Sequence, residues 1–318
     1  MKVSILVPVY GVERYIEACV RSLMEQTYND IEYVFVNDCT PDGSVKILRE
    51  VISQYPDRSH QVHIIEHQHN QGLGGARLTA LSNATSDAVM SVDSDDYIHP
   101  QAIELLVDKM KRTDADIVDG GFSIVRNGAV TKRHVPPHVS TPSYLKTILC
   151  QDVEPNRIWG RLIKRSLFTD HDITFYRGID YCEDYSVLPR LLLYAQREWV
   201  DQSLYCYRDD NPDSYTNNIT PRNAVSFFKA QQVVASWFVQ DKSWTDYRTA
   251  AEIGWVNIWR FARRFNIDSA VVEEHFKMSP SLPITKKLTS IMKSPMIPYK
   301  ISNICYLAAR RLYLSLLR

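Results

Sequence analysis

Three features of this sequence predict an α/β fold: a mostly parallel sheet flanked by helices, followed by a helical C-terminal extension. Apolar runs of strand length alternate with stretches of helical spacing through residues 1–97. Two of those runs end abruptly in carboxylates, as strands do when they emerge at a polar rim. From residue 221 onward the apolar spacing is helical only. Alternation of strand and helix implies crossover units, and crossovers of that length join parallel strands.

The elements follow in order. Residues 3–10 (Val-Ser-Ile-Leu-Val-Pro-Val-Tyr) form a first strand, and Val12, Tyr15, Ile16, Cys19, Val20 and Leu23 then keep helical spacing. Residues 31–36 read as a second strand, ending in Asn37-Asp38, and a helix is expected over 44–55. Residues 61–66 form a third strand and 73–83 a third helix; residues 88–92 are the fourth strand. A helix is also expected to start at Asp184, where Val187, Leu188, Leu191, Leu192 and Ala195 share one face.

The fourth strand runs into Asp93-Ser94-Asp95-Asp96. Side chains alternate along an extended segment, so Asp93 and Asp95 are expected to point the same way. Two converging carboxylates repel, and a hard divalent cation relieves that repulsion. Mg²⁺ or Mn²⁺ typically takes one or two carboxylates together with substrate phosphates. The plainer reading is a solvated acidic turn capping the helix that starts near Pro100. In parallel sheets ligands bind beyond the carboxyl ends of the strands. Asp38 and the run from Asp93 to Asp96 both occupy such ends, which favours a site.

Taken together, these pieces resemble the family 2 glycosyltransferases of GT-A fold. The matching segments appear in family order: the first strand, Val36-Asn37-Asp38 with Asp42-Gly43-Ser44, Asn70-Gln71-Gly72 with Ala76-Arg77, Val92-Asp93-Ser94-Asp95-Asp96, and Glu183-Asp184. The resemblance covers roughly residues 1–210. Asn37, Cys39 and Pro41 depart from the commonest pattern and read as loop variation. The resemblance implies a nucleotide-sugar donor, most simply UDP-linked. It assigns Pro8 and Val9 to the nucleoside by backbone contact, Asp38 to the uracil imide, and Arg77 to the base. It assigns Asp95 to the metal, Asp93 to the ribose and metal, and Asp96 to the loop or the sugar. The cofactor it implies is Mn²⁺ or Mg²⁺. Asp184 matches the general base, with Glu183 as neighbour or alternative. Opposite-face attack by a hydroxyl would invert the anomeric centre. Gly72, Gly74 and Gly75 lack the Lys-Ser/Thr ending of a phosphate loop, so helix-start packing is their expected role. The same absence near the first strand disfavours a nucleotidyltransferase. Intact Asp93, Asp95 and Asp184 disfavour a catalytically silent nucleotide-sugar-binding module.

Two candidates for the acceptor side remain open. Trp159 suits stacking on an acceptor sugar or a place in the core. Arg208, in Leu204-Tyr205-Cys206-Tyr207-Arg208, is a candidate contact for the diphosphate. The expected division is a GT-A catalytic domain over 1–220, with the nucleotide-sugar half at 1–97 and the acceptor half at 98–220, and a helical region over 221–318.

Composition bounds the rest. Lys+Arg and Asp+Glu each total 37, so no global charge calls for nucleic acid. The six cysteines show neither metal spacing nor a disulfide framework, and Met1-Lys2 precedes a strand directly, so a cytoplasmic protein is expected. Charge is uneven, however. Residues 275–318 carry eight Lys and Arg and no Asp or Glu, interleaved with apolar residues, and Pro295 and Pro298 split them into two helices. Such a basic amphipathic tail suits peripheral contact with the inner face of a membrane, near a saccharide or lipid-linked saccharide acceptor. The alternative is a helix pair packed on the protein itself or on a second subunit of a homodimer.

Overall fold

The computed structural model describes residues 1–151, 156–211 and 220–316. The chain divides into two compact units. The first comprises 1–138, 158–180 and 194–214; the second comprises 139–157, 181–193 and 215–318. The helical unit therefore takes in two segments that lie inside the 1–220 domain expected from sequence.

The first unit opens as read: β1 (Val3–Val9), α1 (Ile16–Met24), β2 (Ile31–Asn37), α2 (Ser44–Ile52), α3 (Pro56–Ser59), β3 (Val62–Glu66), α4 (Gly72–Ser82) and β4 (Ala88–Ser91). Every residue of β1 is buried, as expected of a parallel strand covered on both faces. The helix expected over 44–55 stops at Ile52, because Pro56 pushes Tyr55 out of helical geometry to φ −122° and ψ 68°. Next come β5 (Tyr97–Ile98), α5 (Ala102–Thr113), β6 (Ile117–Arg126) and β7 (Ala129–His134). α6 (Thr141–Leu149) belongs to the second unit. β8 (Arg161–Lys164), α7 (Ser166–Thr169), α8 (Glu183–Tyr194) and β9 (Arg197–Arg208) follow.

Among the described residues, the strands form one sheet in the order β3-β2-β1-β4-β8-β6-β9-β5, with β7 on β6. β1 pairs in parallel with β2 and β4, and β2 with β3. β8 runs antiparallel to β4 and β6. The sheet is therefore mixed: β1 to β4 pair in parallel, β6 pairs in parallel with β9, and the antiparallel pairings are β4 with β8, β6 with β7 and β8, and β5 with β9. Val9 pairs with Asn37 and Leu6 with Ser91, so the carboxyl ends of β1, β2 and β4 lie on one rim.

The second unit adds α9 (Pro221–Gln240), α10 (Trp244–Arg264), α11 (Ser269–His275), α12 (Pro283–Lys293) and α13 (Tyr299–Ser315). Pro295 and Pro298 separate α12 from α13 as expected. α6, α9, α12 and α13 all pack on α10, whose Trp255, Val256, Ile258 and Trp259 are buried. No helix among the described residues is long and apolar enough to cross a membrane.

Candidate nucleotide-sugar site

The site is built at the rim where β1, β2 and β4 end. Pro8 and Val9 close β1, fully buried in its pairings with β2. The carbonyl of Val9 accepts from the backbone N–H of Asp38 at 3.0 Å, which carries the chain over from β2.

Asp38 is 2% exposed and works as a remote helix cap. Its Oδ1 accepts from Gln71 N at 2.7 Å and lies 2.7 Å from His67 Nδ1, while its Oδ2 accepts from Gly72 N at 2.9 Å. His67 Nε2 in turn meets Thr79 Oγ1 at 2.9 Å, one helix turn and more along α4. The positive end of the helix dipole favours that carboxylate. A second buried carboxylate, Asp180, accepts from Gly74 N at 3.2 Å. A Cβ at Gly74 would sit 2.3 Å from the carbonyl oxygens of both Tyr176 and Ile179, and one at Gly72 would sit 2.2 Å from Asp180 Oδ1. The glycines thus let the 175–180 loop seat directly on the start of α4, which is the packing role expected of them.

Arg77, on α4, is 3% exposed, and its Nη2 donates to Asp93 Oδ1 at 2.8 Å. The acidic run differs from expectation in its backbone. β4 ends at Ser91, and residues 93–96 form a turn closed by Asp96 N donating to Asp93 O at 3.0 Å. Asp93 and Asp95 are brought together by that turn and not by strand alternation. The fourth residue, Asp96, is 1% exposed and held by β9: Tyr205 Oη donates to its Oδ2 at 2.8 Å and Arg208 N to its Oδ1 at 2.7 Å. Asp93 N donates to Tyr205 Oη at 3.1 Å, so one hydroxyl pins both ends of the turn. Asp95 Oδ2 accepts from the Asn211 side-chain amide at 2.8 Å.

The electrostatics follow from this crowding. Burial, and then the neighbouring Asp93 charge, raise the Asp95 carboxyl above its ordinary range. Burial, and then Asp95 and Asp93, push Asp96 well above it. The Arg208 guanidinium lies over the rings of Tyr15 and Tyr97, 5.6 and 5.2 Å from their centroids, and its field opposes the rise at Asp95. Trp159 is 9% exposed, stacked on Tyr205 at 4.3 Å and on Tyr207 at 5.4 Å, with Phe122 edge-on at 5.2 Å. Of its two open readings, this arrangement favours the core tryptophan, which backs the acidic turn through Tyr205.

Glu183 and Asp184 occupy the first turn of α8, on the helical unit. Glu183 is 7% exposed, and Ser186 Oγ donates to its carbonyl at 2.6 Å. Cys182 enters the helix with φ 63°, a left-handed bend just before the pair.

Among the described residues no three His, Cys, Asp or Glu side chains converge as a metal cage. The donor set nevertheless fits a hard cation that draws most of its ligands from a phosphate substrate: Asp95 and Asp93 are oxygen donors, crowded and mutually repelling. Tyr205, Asn211, His67 and Asp180 escaped the sequence reading. The alternation of Tyr205 and Tyr207 along a strand was the one available signal; the other three are single polar residues without a motif.

The mixed sheet and its carboxylate-bearing rim are those of the GT-A fold. The structure matches residues 1–349 of TarS from S. aureus in complex with UDP-GlcNAc with a TM-score of 0.70, at 17% identity, over 98% of this chain and 91% of that one. The chain belongs to glycosyl transferase family 2, whose profile matches residues 4–173. It is 34% identical over 223 residues to the glycosyltransferase EpsJ of Bacillus subtilis, covering 67% of this chain and 62% of EpsJ. It is 28% identical over 242 residues to the poly(ribitol-phosphate) beta-glucosyltransferase of Bacillus spizizenii, covering 74% of this chain and 36% of that enzyme. The chain thus spans less than two thirds of the length of either relative.

Proposed function

We propose that this chain is an inverting, metal-dependent hexosyltransferase. It moves a sugar from a UDP-linked donor to a hydroxyl of a saccharide or lipid-linked saccharide, in surface polysaccharide or glycolipid assembly at the cytoplasmic face. The observation that carries the reading is the acidic turn from Asp93 to Asp96 at the carboxyl end of a parallel strand, beside Asp38 and Arg77, in a chain of this family. The names of TarS bound to UDP-GlcNAc and of a beta-glucosyltransferase support a UDP donor and a β product.

In this reading Pro8 and Val9 line the nucleoside. Asp38 accepts from the uracil imide. It already accepts two backbone N–H groups and lies against His67, which leaves one of about four carboxylate lone-pair positions. Arg77 orients Asp93 and approaches the base, its planar fork being suited to both. Asp95, with Asp93, would hold Mn²⁺ or Mg²⁺, which when bound would supply Lewis-acid charge to the diphosphate leaving group. Arg208 adds a cation for the same diphosphate. Asp184 takes the proton of the acceptor hydroxyl, with Glu183 beside it.

Thermal unfolding with UDP, GDP and their sugars, with and without Mn²⁺, tests the proposal. A ligand at 100 times its dissociation constant should stabilise by about 2.7 kcal/mol. A Mn²⁺-dependent shift with UDP is expected. No shift with any nucleotide would sink the reading.

A further inference from the structure

We propose that the outward face of α13 is a docking surface for an anionic lipid membrane, independent of the donor chemistry above. Among the described residues, α13 packs on α10 and α12. Ser302 and Tyr306 are buried there; Arg263 Nη1 donates to Ser302 Oγ at 3.1 Å, and the Arg260 guanidinium lies 5.4 Å from the Tyr306 ring centre. The opposite side is where a helix of a water-soluble protein carries its polar residues. Here it carries Ile301, Ile304, Leu307, Ala308, Leu312 and Leu316, all exposed, with Leu312 at 65% and Leu316 at 76%. These positions recur at three- and four-residue steps, so they form one continuous stripe. Met296, just before the helix, is 89% exposed.

The stripe is inverted in polarity, and its charge names the occupant. Lys300 and Arg311 are exposed on the same face. No Asp or Glu occurs anywhere from residue 275 to residue 318, against eight Lys and Arg. A two-fold contact between copies would set the same patch against itself and oppose like charges. An anionic leaflet meets both demands: apolar side chains enter the acyl boundary while the cations reach the headgroups. The cytoplasmic leaflet carries such a charge. A surface-lying helix needs no spanning length, and none is present among the described residues.

The test is co-sedimentation of the full chain with vesicles of phosphatidylcholine and phosphatidylglycerol in equal parts, and with phosphatidylcholine alone. Binding is expected to the mixed vesicles and to weaken steeply with salt. The double variant Lys300→Gln/Arg311→Gln should bind about 25-fold less, about fivefold per cation. Ile304→Ser/Leu312→Ser should weaken binding on the order of tenfold per residue. All four positions are exposed, so circular dichroism and the melting temperature of the variants should match the parent. Equal binding by parent and variants would overturn the proposal, as would absence of binding to the mixed vesicles. A concentration-dependent dimer abolished by Ile304→Ser/Leu312→Ser, without vesicle binding, would overturn it in favour of a second copy. UDP-induced stabilisation should be the same in parent and variants, so the two readings fail separately.

Discussion

Replacing Tyr205 by Phe should loosen the acidic turn while leaving the core behind it intact. The hydroxyl makes two bonds: it accepts from Asp93 N at 3.1 Å and donates to Asp96 Oδ2 at 2.8 Å. A bond between neutral groups contributes about 1 kcal/mol, and one to a charged group about 1.5–3 kcal/mol. Asp96 stays buried and Asp93 partly buried when the hydroxyl goes, so little of either sum is recovered from water. The ring itself remains to stack on Trp159 at 4.3 Å, and Arg208 N still reaches Asp96 Oδ1. The expected loss is therefore about 2–4 kcal/mol of folding stability, without the larger cost of an emptied ring cavity. Urea denaturation of parent and variant measures it. Mn²⁺-dependent UDP binding should weaken as well, because Asp93 and Asp95 sit on the released turn. A loss below about 0.5 kcal/mol, the scale of an inert surface change, would show that β9 does not hold the turn.

Three further perturbations have defined outcomes. Gly74→Ala would normally stabilise a helix by about 1 kcal/mol, yet here its Cβ would meet two backbone carbonyls at 2.3 Å, so a loss of about 1–3 kcal/mol is expected in the same denaturation assay; a neutral or stabilising result would unseat the 175–180 loop from α4. Burial pushes the Glu32 carboxyl up, but bonds from Lys2, Ser4 and Thr85 outweigh it and hold the group at about 2 instead of 4.5. A depressed acid stabilises above its unfolded value and loses that contribution as pH falls through the folded one, so about 3 kcal/mol should vanish between pH 4.5 and 2, and Glu32→Gln should flatten that part of the stability profile. Asp184→Asn should cut turnover by about 10²–10⁴ with donor KM little changed; near-parental turnover would move the base to Glu183.

The sequence made the parallel half of the sheet readable because buried parallel strands are continuous apolar runs, and β1, β2 and β4 carry that signal plainly. Asp38 and the Asp93–Asp96 run also stood out, since charged residues at the ends of such runs contrast with a neutral background, whereas Arg77, inside α4, entered only through the family resemblance. What it concealed depends on long-range closure. Tyr205 lies 109 residues from Asp96, and Asn211 lies 116 from Asp95. The turn at residues 93–96 was hidden for a related reason: period-two alternation holds only while a neighbouring strand keeps the backbone extended, and the pairing of β4 with β1 reaches Val92, whose N–H donates to Leu6 O at 3.0 Å, just before the turn begins. The helical unit was readable as helices but not as a unit, because α6 and α8 join it from within residues 1–220.

The partners of the three carboxylates also rank them as cation ligands. Asp93 is neutralised by Arg77, which is itself buried. Asp96 is shielded at both oxygens, by a tyrosine hydroxyl and a backbone N–H. Asp95 is half-buried beside both of them, and its Oδ2 accepts from the neutral amide of Asn211. A carboxylate in that position retains the least compensated charge of the three, and an incoming divalent cation relieves it most. The three isosteric amide variants should therefore separate by readout. Asp95→Asn should abolish the Mn²⁺ dependence of UDP binding while leaving the fold at least as stable, since it removes a buried like-charge repulsion. Asp93→Asn should weaken UDP binding and release Arg77, with partial Mn²⁺ dependence left. Asp96→Asn should lower stability, through its bonds to β9, before it touches the cation. Isothermal titration with Mn²⁺ and UDP, beside melting curves for each variant, distinguishes them. Equal Mn²⁺ dependence in Asp95→Asn and the parent would refute the ranking.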